Sequence, residues 1–152
     1  MNTEHNKNRT KELLDLAQKA TAMAYAPYSN FHVGAALLTE KGNVYSGCNV
    51  ENASYGLTIC AERNAIFSAV NSEGPEMKIM KMVVITSDNS VASPCGACRQ
   101  VIAEFSNIEN QKAEIMFNNK EGLICKKIDE LLPYSFESGS LTRSSNKPLQ
   151  EK

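Results

Sequence analysis

Apolar residues recur along the chain in two periods, and the two predict different elements. Leu13, Leu14, Ala17 and Ala20 fall at helical spacing. They predict a helix over residues 10–25, capped by Thr10 and ended by Pro27, with residues 1–9 as a polar arm ahead of it. Residues 33–39 and 44–48 read as strands joined by a turn at Glu40-Lys41-Gly42-Asn43. Ala65, Ile66, Ala69 and Val70 mark one face of a second helix, residues 61–70, which residues 72–75 break. Residues 79–86 form a near-continuous apolar run interrupted by Lys81, the mark of a central strand covered on both faces. Val101, Ile102 and Phe105 give a third helix over residues 95–105. Strands follow at 113–117 and 123–128 around a turn at 118–122, and residues 129–132 form a short helix stopped by Pro133. From Glu137 the chain is polar, rich in Ser and Lys, and reads as a disordered tail. This alternation predicts one α/β domain over residues 1–136, three layers deep, with a mixed central sheet between helices.

Length and charge narrow the function. A chain of 152 residues supports one domain with a sizeable core. Its 16 basic residues against 17 acidic ones offer no basic face for a nucleic acid. The first eleven residues are polar, unlike a secretory signal, and no apolar run approaches the roughly 20 residues that span a membrane. A cytoplasmic protein is the expectation. The five cysteines are an odd number at spacings that suit a metal better than a disulfide framework.

Three of those cysteines stand in two short motifs, Thr58-Ile59-Cys60-Ala61-Glu62-Arg63 and Pro94-Cys95-Gly96-Ala97-Cys98-Arg99. Cysteines three apart at a helix start share one face, beside free N–H groups and a partial positive charge that favour the thiolate. Catalytic zinc sites take three protein ligands and keep one position open, whereas structural sites are closed by four. Cys60, Cys95 and Cys98 are the candidate ligands, which leaves Cys48 and Cys125 outside; Cys48 reads as a small buried hydrophobe. Glu62, beside a ligand, is placed to carry protons. Arg63, and less directly Arg99, would offset the charge of three thiolates. Taken alone, Phe31 reads as core, and Asn49-Val50-Glu51-Asn52 reads equally as a solvated loop or a substrate contact.

The paired motifs resemble the signature of zinc nucleobase deaminases. Longer blocks are similar to one family in particular, the small homotetrameric cytidine deaminases. They are Tyr28-Ser29-Asn30-Phe31-His32-Val33-Gly34-Ala35-Ala36-Leu37, the run from Gly47 to Arg63, Ser93-Pro94-Cys95-Gly96-Ala97-Cys98-Arg99-Gln100, and Leu131-Leu132-Pro133-Tyr134-Ser135-Phe136. The resemblance implies the fold of that family and hydrolytic deamination of cytidine and 2′-deoxycytidine, with one zinc per chain on Cys60, Cys95 and Cys98. Glu62 would be the proton shuttle and Arg63 would contact the ligand sulfurs. Asn49 and Glu51 would hold the ribose, with Val50 between them, Ala61 beside the substrate and Phe31 against the base. Ala53, Tyr55 and Phe136 would reach the site of a neighbouring subunit. The nearest rival is a small-molecule zinc deaminase of the blasticidin type, which the ribose-loop and Phe31 blocks disfavour.

Overall fold

The computed structural model describes residues 3–106 and 113–136, with side chains from residue 6 onward. Within them the chain runs through α1 (Thr3–Thr21), β1 (Val33–Thr39), β2 (Val44–Cys48), a 3-10 turn (Tyr55–Leu57) and α2 (Ala61–Glu73). It continues through β3 (Ile79–Thr86), α3 (Gly96–Glu104), β4 (Glu114–Asn119), β5 (Gly122–Lys127) and α4 (Ile128–Leu131). The strand order is β2-β1-β3-β4-β5. Only β3 and β4 pair in parallel, so the sheet is mixed.

Burial explains the central place of β3. All its residues but Met80 are buried, and alternate side chains enter different cores. Met82 and Val84 join Ala65, Ile66 and Ala69 of α2, Ile102 of α3 and Ile115 of β4. Val83 and Ile85 join Leu13 and Ala17 of α1 on the other face. The expected three layers are present.

Two glycines set how closely the helices press on that sheet. A Cβ at Gly34 would lie 2.0 Å from the Ala17 carbonyl oxygen, inside α1. One at Gly47 would lie 2.5 Å from the Ala65 nitrogen and 2.7 Å from the Ala61 oxygen, inside α2. Gly34 pairs with Cys48 and Ala35 with Gly47, so both helices dock on adjacent rungs of the β1–β2 ladder from opposite faces. The start of α2 is thereby fixed at the end of the sheet where β1 begins and β2 and β3 finish.

The first helix departs from expectation at both ends. Residues from Thr3 are already helical, so the described part of the polar arm belongs to α1. Thr10 is no cap: its hydroxyl donates to the Asn6 carbonyl one turn back. The polar turns are held from the sheet, because Lys81 reaches up to Asn6 Oδ1 at 2.8 Å, Thr10 Oγ1 at 3.2 Å and the Glu114 carboxylate at 3.1 Å. Those partners allow a lysine to be buried in a central strand. The helix stops at Thr21 rather than near 25 because the next residues are recruited elsewhere: Tyr25 N donates to Asn49 O, and Glu51 N donates to Tyr25 O.

Other boundaries move by a few residues. Helix α2 continues to Glu73 and ends at Gly74, whose φ of 90° suits glycine. Strand β4 runs on to Asn119, shortening the turn before β5. Cys48 is half-buried, its thiol donating to the Met23 carbonyl at 3.3 Å, so it is more than an apolar filler. The expected tail, residues 137–152, lies outside the described residues.

Candidate active site

Cys60 caps α2 and Cys95 caps α3, each in extended backbone, and Cys98 sits one turn into α3. Two helix starts thus converge on one point. Cys60 Sγ lies 4.0 Å from Cys95 Sγ, Cys95 Sγ lies 3.5 Å from Cys98 Sγ, and all three sulfurs fall within 4.8 Å of one another. Sulfurs at tetrahedral corners about 2.3 Å from a zinc ion stand about 3.8 Å apart. The cluster fits that ion with three ligands. Cys48 and Cys125 take no part in it.

The thiols are electrostatically uneven. Cys60 is drawn down to about 5, first by the hydrogen bond from the Cys98 thiol and then by Arg63. Cys98 is pushed up by the same shared proton and by burial. Arg63 Nη2 donates to Cys60 Sγ at 3.4 Å and to the Thr58 carbonyl at 3.4 Å. Arg99 is differently employed. It donates to the carbonyls of Pro94 at 2.8 Å and Leu131 at 2.9 Å and to Ser93 Oγ at 2.8 Å. It braces the loop that delivers Cys95, and its bonds go to that loop and to α4 instead of to the sulfurs.

Glu62 follows Cys60 in the first turn of α2 and is 4% exposed. Burial, the largest influence, pushes its carboxyl above the ordinary range. It lines a cleft of about 250 Å³ together with Cys60, Ala61, Cys95, Phe31, Asn49 and Glu51. Seven residues named from the sequence therefore meet around one space. Phe31 is 41% exposed and belongs to that cleft, which settles its reading against core.

The loop residues are held by their own side chains. Asn49 Oδ1 accepts from Val33 N at 2.8 Å and its Nδ2 donates to the Phe31 carbonyl at 2.8 Å. Glu51 Oε2 accepts from the backbone N–H groups of Tyr28 and Ser29, and Oε1 accepts from Ser29 Oγ. Val50 pairs through its backbone with Ile59, tying this loop to the residue before Cys60. Its side chain is 43% exposed and does not line the cleft.

Ala53, Tyr55 and Phe136 are not brought to the cleft within this chain. Tyr55 is 76% exposed and meets the Tyr28 ring edge-on at 6.0 Å. Phe136 is 59% exposed, its carbonyl accepting from Gln100 Nε2. Sequence reasoning missed Ser29 and Ser93, which line the cleft, and Asn64, which donates to the Cys48 carbonyl at 2.8 Å and so braces β2 against α2. Ser29 and Asn64 act on partners sixteen or more positions away, a signal that local spacing does not carry.

Comparison with known proteins agrees with this geometry. Residues 7–113 match the model of the cytidine and deoxycytidylate deaminase zinc-binding region. A cytidine deaminase of Sporosarcina psychrophila is 43% identical over 132 residues, covering 87% of this chain and 94% of that one. One from Halalkalibacterium halodurans is 45% identical over 125 residues, 82% of this chain and 91% of the relative. The crystal structure of cytidine deaminase from Burkholderia pseudomallei superposes with a TM-score of 0.73 at 43% identity, covering 83% of this chain and 98% of its own. That from Mycobacterium tuberculosis gives 0.72 at 38% identity, covering 84% and 96%. With the zinc-shaped thiol cluster, the buried carboxyl beside it and these relatives along nearly their whole length, the chain belongs to the cytidine deaminase family.

Proposed function

We propose that this cleft hydrolyses the exocyclic amine of cytidine and 2′-deoxycytidine, releasing ammonia and the uridine nucleosides. One observation carries the reading: a buried carboxyl, Glu62, lines the same cleft as Cys60 and Cys95 of a three-sulfur cluster. Cys60, Cys95 and Cys98 would hold the zinc, which supplies a Lewis acid that brings the pKa of a water close to neutrality. Glu62 does the proton work. It takes one proton from the attacking water as oxygen adds to C4 of the pyrimidine, and delivers it to N3. It then moves the remaining hydroxyl proton to the amino nitrogen. The C4–N bond breaks, ammonia leaves, and C4 becomes a carbonyl. Low exposure excludes competing water, and a carboxyl held above its ordinary range both accepts and returns a proton readily. Phe31 packs on the base, Ala61 lies beside it, and Asn49 and Glu51 receive the sugar, with Val50 spacing the two.

We further infer a homotetramer with shared sites. A cleft of about 250 Å³ falls below the roughly 300–1,000 Å³ usual for small-molecule sites. Tyr55 and Phe136 carry exposed rings that a second copy would bury, with Ala53 beside the same contact. No described helix is long and apolar enough to cross a membrane. Thiolate ligands stay reduced most readily in a reducing compartment, which fits the cytoplasm.

Ammonia release from cytidine, with zinc measured on the same sample, tests the activity. A zinc-loaded protein that leaves cytidine and deoxycytidine untouched would overturn it. The shared site is tested by dissociating and reassembling Glu62→Gln with Tyr55→Ala. Activity returns if sites combine residues from two chains, and a fully active monomer of about 17 kDa at nanomolar concentration excludes sharing.

A further inference from the structure

We propose that the Ser29 hydroxyl is a positioning group for sugar recognition: it fixes the Glu51 carboxylate and the Phe31 backbone in one arrangement, so that sugar and base are read together. The inference rests on the reading of Glu51 as the acceptor for a sugar hydroxyl.

Glu51 Oε2 is held by two backbone donors, Tyr28 N at 2.9 Å and Ser29 N at 3.3 Å. Among the described residues Oε1 has one protein donor, Ser29 Oγ. The last torsion of a glutamate side chain is broad, so a carboxylate pinned on one oxygen can still swing the other. The Ser29 hydroxyl stops that swing. It leaves Oε1 a further lone pair, the position a sugar hydroxyl would use. The same Oγ accepts from Phe31 N at 3.0 Å. One hydroxyl therefore stands between the two residues assigned to sugar and base, and Ser29 itself lines the cleft. The Glu51 carboxyl is held below its ordinary range, with the Ser29 hydroxyl the largest cause, so the acceptor stays ionised. Alanine at this position removes both bonds and leaves the two backbone donors to Oε2 in place.

The test uses zinc-loaded wild type, Ser29→Ala, Ser29→Thr and Glu51→Gln, with cytidine and 2′,3′-dideoxycytidine as substrates. Loss of the bond to the charged carboxylate predicts about a tenfold lower kcat/KM for cytidine in Ser29→Ala, mostly as a higher KM, on top of what the lost Phe31 N–H bond costs both substrates. The dideoxy substrate, with no 2′ or 3′ hydroxyl to present, should show only that shared loss through Phe31, about threefold or less. Ser29→Thr, which keeps the hydroxyl, should restore the difference. Equal losses on both substrates would make Ser29 mere loop support, and no loss on cytidine would deny it any role; either result overturns the proposal. Glu51→Gln separates the two layers. If it penalises cytidine selectively while Ser29→Ala does not, the Ser29 inference alone fails. If it lowers both substrates equally, the sugar reading of Glu51 fails and takes the Ser29 proposal with it.

Discussion

Replacing Arg63 by alanine should weaken zinc binding about ten- to a hundredfold. The guanidinium stands 3.4 Å from Cys60 Sγ. Unit charges at that distance attract by about 5 kcal/mol at an effective dielectric of 20 and about 1.2 kcal/mol in bulk water. Arg63 is only half-buried, so screening pulls the value toward the lower figure. A loss of about 1.4–2.7 kcal/mol corresponds to the stated fold-change. The effect should depend on pH. Arg63 is the second influence, after the Cys98 thiol, that holds Cys60 down near 5. Without it the Cys60 thiol rises toward its ordinary range, and protons compete with the metal at higher pH. The deficit should therefore be larger near pH 6 than near pH 8, where both proteins present more thiolate. Competition against a chromogenic chelator under anaerobic, reducing conditions reads the affinity directly, with circular dichroism reporting the fold. Arg63→Lys, which keeps charge but loses the planar fork, should fall between. Zinc affinity of Arg63→Ala equal to wild type across that pH range would refute the charge-offset argument.

Three further outcomes follow from the same geometry. Glu62→Gln should keep fold and zinc but lose about ten-thousand-fold in kcat, since glutamine can carry neither proton; a variant retaining a tenth of the rate would assign the work to another group. Cys95→Ala should lose zinc while Cys125→Ala keeps it, because Cys125 stands outside the sulfur cluster; metal analysis of the two variants decides. Gly47→Ala should cost about 1–3 kcal/mol of stability and lower turnover by about a hundredfold, because its Cβ would strike the α2 backbone within 2.7 Å and push Glu62 out of place. A thermal melt and an activity curve matching wild type would show that α2 can give way there.

The elements legible in the sequence are those whose signal is local. β1, β2 and β3 declare themselves by apolar runs between turns, and their ends match the expectation. The cysteine pair and Cys60-Ala61-Glu62-Arg63 are readable because a helix start brings residues three apart together. The first turns of α1 were not readable by the same logic. They are polar throughout, with Arg9–Glu12 and Lys11–Asp15 pairs, and their anchor is Lys81, more than seventy positions away. Arg99 departs from expectation for a related reason. Its neighbour Cys98 stands in the thiol cluster, yet its bonds go to Pro94, Ser93 and Leu131 on either side of the site.

A common device underlies what the sequence concealed. Asn49, Glu51, Asn64 and Arg99 are polar residues that each hydrogen-bond a backbone group of a distant segment. In sequence such residues look like a solvated loop, because composition records only that they are polar. In the fold they take the place of a regular ladder where strands have ended: Asn49 joins the start of β1 to the end of β2, and Asn64 ties the end of β2 to α2. A cleft at the end of a sheet has no further strand to define its walls, and buried backbone groups there must still find partners. Side chains supply them, so the residues that shape the cleft also satisfy its backbone. Changing one of them should therefore disturb ligand geometry and local stability together, whereas changing Glu62, proposed to move protons, should separate chemistry from fold.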